Sequence, residues 1–194
     1  GVPPTLPEQW DRDQVGAREA VPAATRRAVV TAAVRAHPDA ESVVDVCGGA
    51  GTYAAEFRER GLSATLVESQ SVVEAVRPLA ESRDLDVFAG PVSELHWTFD
   101  IGFLGDAVAA MAPAEAAATV DAVADHVADD GRLVVVDQFE SSSAAAVRSP
   151  ATGAGDVPTT ETAGDWPHAA ALDAVDTAPV TGTDRVPVIG SWAL

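Results

Sequence analysis

Lysine is absent from the 194 residues, so all twelve basic side chains are arginine. A Walker A phosphate loop is therefore excluded, because its lysine must reach the β/γ-phosphates, and so is any Schiff-base nucleophile. The Tyr-x-x-x-Lys pair of single-domain dehydrogenases is excluded too, since Tyr53 is the one tyrosine and has no lysine to pair with. A single cysteine, Cys47, rules out an internal disulfide and fits a reducing interior. No stretch approaches eighteen consecutive apolar residues, so no transmembrane helix and no membrane partner are expected. The start, Gly1-Val2-Pro3-Pro4, lacks a basic segment followed by an apolar run; no export signal is read, and the cytoplasm is the expected location. The four histidines, His37, His96, His126 and His168, are too scattered to suggest a metal site.

What the chain has in excess is negative charge: 30 acidic residues against 12 arginines, a formal −18. Strong acidity without lysine resembles the proteins of salt-in halophilic archaea, where concentrated cations screen the self-repulsion. The alternative is an acidic protein of a GC-rich genome whose lysines were lost to codon bias. Either way phosphate backbones are repelled, and no nucleic-acid partner is expected. With 47% apolar residues the chain can build one domain with a sizeable core. A proline-bearing arm over 1–20 is expected to precede a single domain over 21–194.

The domain is organised around Val43–Ser69. Val43–Val46 is a short apolar run suited to a strand buried on both faces, and Cys47-Gly48-Gly49-Ala50-Gly51-Thr52 follows at once. The three glycines leave almost no side-chain bulk, so backbone can approach a ligand closely. Thr52 is the expected cap of a helix over Tyr53–Arg60, whose N-terminus presents unpaired N–H groups above the loop. Ser63–Val67 is the next strand, and Glu68 stands at its carboxyl end. In a βαβ unit an acid there, roughly twenty residues after the glycines, meets a ribose diol. Gly49-Ala50-Gly51-Thr52-Tyr53-Ala54 also fits the G-x-G-x-x-A dinucleotide pattern, so an NAD-binding module stays open. Asp45 argues against it, because a carboxylate two residues before the loop does nothing for a pyrophosphate and would suit an ammonium group.

Around this unit the periodicities alternate. Val21-Pro22 opens a helix with proline at its first position and Val30, Ala33, Val34 and His37 on one face; His37 is read as a C-terminal residue suited to the helix dipole. A helix over Ser71–Ser82 carries Val72, Val73, Val76, Leu79 and Ala80 and should be kinked or shortened by Pro78. Leu85–Ala89 is the third strand, Gly90–Thr98 a loop, and Phe99–Leu104 the fourth strand. Pro113 starts a helix with Ala116, Val120, Val123 and Val127 on one face, ended by Gly131, and Leu133–Val136 is the fifth strand, closing at Asp137. Gln138–Pro158 is read as a long loop or flap and Thr160–Leu172 as a short helix. Ala174–Ala178 and Val186–Trp192 form a terminal β-hairpin. The pattern is an α/β doubly wound parallel sheet.

The order Asp45…Gly48-Gly49-x-Gly51…Glu68 resembles motif I and the following acidic position of class I S-adenosyl-L-methionine methyltransferases. From about Thr25 onward the chain is similar to the catalytic domain of the plant-type and bacterial small-molecule O-methyltransferases. Val43–Thr52, Leu66–Glu68, Phe88-Ala89-Gly90, Phe99-Asp100-Ile101 and Asp129–Asp137 carry the likeness. It implies a Rossmann-like seven-stranded sheet in the order 3-2-1-4-5-7-6 with a C-terminal antiparallel hairpin. It also implies S-adenosyl-L-methionine as cofactor, bound by Asp45, Gly48, Gly49 and Gly51 at the methionine end, Glu68 and Ser69 at the ribose, and Pro91, Val92 and Gly105 around the remainder.

Four departures accompany the likeness. Cys47 stands where the family usually has glycine. Gly90 is followed by Pro91 and Val92, not by the acid that binds the adenine amino group. The histidine that deprotonates the acceptor falls on Ala109, so general-base catalysis by it is absent and no catalytic residue is assigned. The N-terminal dimerisation domain is not in these residues, and homodimerisation stays open. Two further positions keep two readings each: His96 borders the acceptor pocket or is an ordinary loop histidine, and Asp106 serves acceptor chemistry or caps a helix. The expected activity is methyl transfer to a small molecule; a non-catalytic SAM-binding or regulatory protein is the alternative.

Overall fold

The computed structural model describes residues 19–138, 173–176, 180 and 182–191, with the backbone alone for 173–176. Residues 1–18 of the expected N-terminal arm, the flap after Gln138, the short helix around Trp166, and His168 lie outside the described residues.

Helix α1 (Ala23–Ala36) starts one residue later than expected: Pro22 is its N-cap and its carbonyl accepts the Arg26 N–H at 3.0 Å. Val29, Val30 and Ala33 are its buried residues, and His37 closes its C-terminus. Strand β1 (Ser42–Val46) leads through the glycine loop into α2 (Thr52–Glu59) and β2 (Ser63–Glu68). Helix α3 (Gln70–Ser82) is capped by the Ser69 hydroxyl, which accepts the Val72 N–H. Pro78 does not shorten it. The proline stands on the exposed side, where the carbonyl left without its N–H donor can face water, and Leu79 beside it is 38% exposed, not in the core.

Strand β3 (Asp86–Ala89), a 3₁₀ turn at Val92–Glu94 and β4 (Phe99–Gly105) follow. Helix α4 (Pro113–Ala124) ends well before Gly131, and Val127 opens strand β5 (Val127–Asp137). The β4–β5 register jumps from Phe99–Val127 to Ile101–Arg132, so residues 128–131 bulge out of the pairing. The bulge packs tightly on β4: a Cβ on Gly131 would stand 2.7 Å from the Asp100 carbonyl. Strands β6 (Asp173–Asp176) and β7 (Val186–Ser191) complete the sheet, whose order is β3-β2-β1-β4-β5-β7-β6. The pairs from β3 to β5 are parallel, and β7 runs antiparallel to both β5 and β6. The result is a mainly parallel Rossmann-like sheet finished by an antiparallel hairpin.

Alternation along each strand sends side chains to two cores. On one face Val43, Leu66, Ile101, Phe103, Val134 and Ile189 meet α1, α2 and α3; on the other Val44, Val46, Val67, Leu104, Val135 and Val188 meet α4 and the 3₁₀ turn. Among the described residues, no helix is long and apolar enough to cross a membrane.

Asp100 fastens the start of β4 to that of β1. Its Oδ2 accepts the N–H groups of Glu41 and Ser42 at 2.8 and 2.9 Å and the Ser42 hydroxyl at 2.9 Å, and its own N–H donates to that hydroxyl at 3.0 Å. Burial alone would raise this carboxyl; the donors from Glu41 and Ser42, with His37 nearby, outweigh it and hold the group below its ordinary value. A depressed folded value gives stability that is present above the unfolded pKa and lost as pH falls through the folded one. Asp100→Ala is expected to cost about 1–2 kcal/mol at neutral pH, discounted for solvent screening of a half-exposed group. Thermal melts should show the gap between wild type and variant shrinking as pH falls through the depressed value of Asp100, below the ordinary carboxyl range; a gap undiminished down to the acid limit of folding overturns the assignment.

Candidate functional site

The glycine loop takes its shape from backbone angles that glycine favours. Gly49 and Gly51 have φ of +63° and +76°, and Cys47, at +56°, adopts the same left-handed conformation without being glycine. Gly51, not Thr52, is the N-cap of α2; Thr52 lies inside the helix and its hydroxyl donates to Glu19 at 3.0 Å. The loop is braced from two sides. From below, Asp45 is fully buried and its Oδ2 accepts the Ala54 N–H at 3.1 Å, an anion against the N-terminus of α2. From the side, Glu68 Oε1 accepts the Gly49 N–H at 2.7 Å while Oε2 accepts the Ser69 N–H at 3.1 Å.

The two carboxylates share one face of the sheet, because Asp45 pairs with Leu66 and Glu68 follows two residues on. They differ in what they reach. A cavity of about 690 Å³ opens at the carboxyl ends of β1 to β4, where open α/β sheets bind ligands, and Glu68 is on its wall. Cys47, Ser69, Pro91 and Val92 also line it, together with apolar Val46, Val67, Ala107 and Met111. Asp45, Gly48, Gly49, Gly51 and Gly105 do not. Asp45 lies beneath Gly48, where an added Cβ would stand 2.5 Å from its Cγ. Gly51 needs its positive φ and its closeness to Leu85, and Gly105 makes room for the rings of Phe103 and Tyr53.

Sequence reasoning missed part of the wall. Gln70, Ser93, Glu115 and Thr119 line the cavity, the last two because α4 packs against the 3₁₀ turn that carries Ser93. No short motif marks them; the exposed N-terminal half of α4 is the nearest signal. His96 is exposed and does not line the cavity. His126 follows α4, is half-buried, and its Nδ1 lies 3.2 Å from the Trp97 carbonyl.

Asp106 neither caps a helix nor lines the cavity. At φ +52° its carboxylate accepts the Tyr53 hydroxyl at 2.6 Å and pairs with Arg185 Nε at 2.6 Å, joining α2, the end of β4 and the start of β7. Burial, and then the Asp106 charge, push the Tyr53 hydroxyl far above the ordinary phenol range, so it is no phenolate base. Burial lowers the Arg185 guanidinium, but Asp106 outweighs it and holds the cation charged. Asp137, 5% exposed, accepts the N–H groups of Ala109 at 2.9 Å and Gln138 at 2.8 Å, yet burial dominates and raises its carboxyl above the ordinary range. Among the described residues, no group of three or more His, Cys, Asp or Glu side chains could hold a metal ion.

No protein-family model matches the sequence, and no curated protein matches it either. Solved structures do. The mitomycin 7-O-methyltransferase MmcR matches 87% of this chain and 53% of its own, with a TM-score of 0.69 at 20% identity. A putative O-methyltransferase from Nostoc punctiforme covers 87% of this chain and 56% of its own, with a TM-score of 0.72 at 15% identity.

The fold is that of the O-methyltransferases.

CalO1, a methyltransferase in calicheamicin biosynthesis solved with SAH bound, shares this O-methyltransferase fold over 88% of the present chain and 54% of its own, at TM-score 0.68 and 18% identity. The present chain spans about half the length of these structures.

The donor set suits an adenosyl cofactor on this fold. Glu68 offers a carboxylate to a diol, apolar side chains wall the space beside it, and the volume lies in the range of small-molecule sites.

Proposed function

We propose that this chain binds S-adenosyl-L-methionine and carries its methyl group to a small-molecule acceptor. The observation that carries the reading is a cavity at the carboxyl ends of β1 to β4 with Glu68 on its wall, held there by the Gly49 and Ser69 N–H groups. The cofactor supplies a methyl group already activated on a sulfonium. Glu68 accepts the ribose hydroxyls, and Cys47, at the start of the glycine loop that Asp45 braces from beneath, faces the methionine end. Ser69, as the cap of α3, fixes the carboxyl end of β2. Pro91, Val92 and Met111 shield the purine from water.

In-line transfer gains most from positioning and exclusion of water. Ala109 supplies no general base, and its N–H is taken by Asp137. The acceptor is therefore a nucleophile that needs no proton removed in the transition state: an amine, thiolate, carboxylate or already ionised hydroxyl. The same alanine favours the second reading, a SAM-binding protein without turnover.

The acidic composition favours work at high salt and disfavours a nucleic-acid partner, and a homodimer is compatible with it. The test is calorimetry with S-adenosylhomocysteine in molar salt, followed by incubation with methyl-labelled SAM and a panel of phenols, catechols and amines. Binding with label transfer supports the enzyme, and binding without transfer to any acceptor supports the second reading. Affinity for NADH with none for S-adenosylhomocysteine overturns both.

A further inference from the structure

We infer that Glu115, assisted by Ser93, recognises the 6-amino edge of the purine, so that the site selects adenosyl over 6-oxopurine ligands; this rests on the proposed cofactor. The polar side chains on the cavity wall differ in what they already do. Glu68 holds the Gly49 and Ser69 N–H groups, and Ser69 caps α3. Gln70 Nε2 donates to Glu74 at 2.8 Å, and the Thr119 hydroxyl donates to the Glu115 carbonyl at 2.9 Å. Among the described residues, the side chains of Ser93 and Glu115 make neither a hydrogen bond nor an ion pair, although both line the cavity.

They come from two elements that pack together, the 3₁₀ turn at Val92–Glu94 and the first turn of α4. Glu68 and Glu115 are the two carboxylates on the wall, placed there by β2 and by α4. An ionised carboxylate only accepts, so a second one in a nucleoside site calls for a donor beyond the diol. On an adenosyl ligand that donor is the exocyclic amine. The 6-oxo analogue presents an acceptor at the same position, which sets oxygen against oxygen. Residue 91 cannot serve, because Pro91 has neither a polar side chain nor an N–H.

The experiment compares S-adenosylhomocysteine with S-inosylhomocysteine by calorimetry in molar salt, on the full chain and on Glu115→Gln and Ser93→Ala. Glu115 is exposed, so the glutamine variant should melt with wild type. Wild type is expected to prefer the adenosyl ligand by at least about tenfold, since a site built around a hydrogen bond rejects the ligand lacking it. Glu115→Gln should reduce that preference to about threefold or less, its amide being able to donate as well as accept, and Ser93→Ala should lower adenosyl affinity a few-fold. An unchanged preference in Glu115→Gln overturns the inference, as does an equal loss for both ligands, which would place Glu115 against another part of the molecule. If wild type binds S-adenosylhomocysteine without preferring it, the inference alone fails. If wild type binds neither ligand, the proposed cofactor fails and takes the inference with it.

Discussion

Gly48→Ala is expected to lower the unfolding temperature by roughly 5–15 °C, the stability equivalent of about 2–4 kcal/mol for a domain of this size. The new Cβ would lie 2.5 Å from Asp45 Cγ and Oδ2 and 2.7 Å from Oδ1, closer than real Cβ atoms approach anything. Asp45 cannot swing away at low cost. It is fully buried between β1 and α2, and moving it breaks the bond to the Ala54 N–H and strips an anion from the helix N-terminus. Gly51→Ala is the internal comparison. Its contact is Leu85 Cδ1, the end of a flexible side chain, so the cost there is mainly the backbone one, about 1–2 kcal/mol for a residue at φ +76°. Denaturant melts of the two variants measure the difference. A Gly48→Ala protein as stable as wild type would mean that Asp45 does not sit under the loop.

Glu68→Ala should weaken S-adenosylhomocysteine binding by about 100-fold, close to 3 kcal/mol, which is the size of one to two hydrogen bonds to a charged acceptor. The same substitution leaves the Gly49 and Ser69 N–H groups without their acceptor, so a stability loss of about 1–3 kcal/mol accompanies it. Glu68→Gln separates the two effects. An amide oxygen can take one of those N–H groups while its NH₂ opposes the other, so stability falls less than in the alanine variant and affinity still drops by about tenfold or more. Calorimetry well below both melting temperatures, with the melts recorded in parallel, reads affinity and stability independently. Unchanged affinity in both variants would remove Glu68 from the ligand and return the site to an α/β crevice of unassigned chemistry.

Both expectations depend on one arrangement: the acid of β1 supports the loop from within, and the acid of β2 supports it from the cavity side. Sequence spacing treats Asp45 and Glu68 alike, as two carboxylates flanking three glycines. Burial separates them, because β1 is the inner neighbour of β2 and α2 closes over its end, whereas the tip of β2 opens beside the loop after β3.

Elsewhere the local rules held where one element decided the outcome and failed where two elements competed. Val72, Val73, Val76 and Ala80 face the core as their helical period requires, but Leu79, at the edge of the stripe, stays exposed. Val127 fits the apolar face of α4 by spacing and still joins β5, because pairing with Phe99 satisfies its backbone where a longer helix would not. Thr52 carries a good capping side chain, yet the cap falls on Gly51, whose left-handed angle the loop already imposes.

By itself, then, the sequence determined the alternation of strands and helices, the glycine loop and the acid at the end of β2, because each is set by periodicity or backbone freedom within a few consecutive residues. Tertiary structure alone decided that Asp45 lies beneath the loop, that Tyr53, Asp106 and Arg185 meet, and that Glu115 and Ser93 share a wall with Glu68. Asp45 is close to its loop in the chain but the other neighbours lie far apart, and all their distances follow from how helices dock on the two faces of a twisted sheet, which no local pattern records.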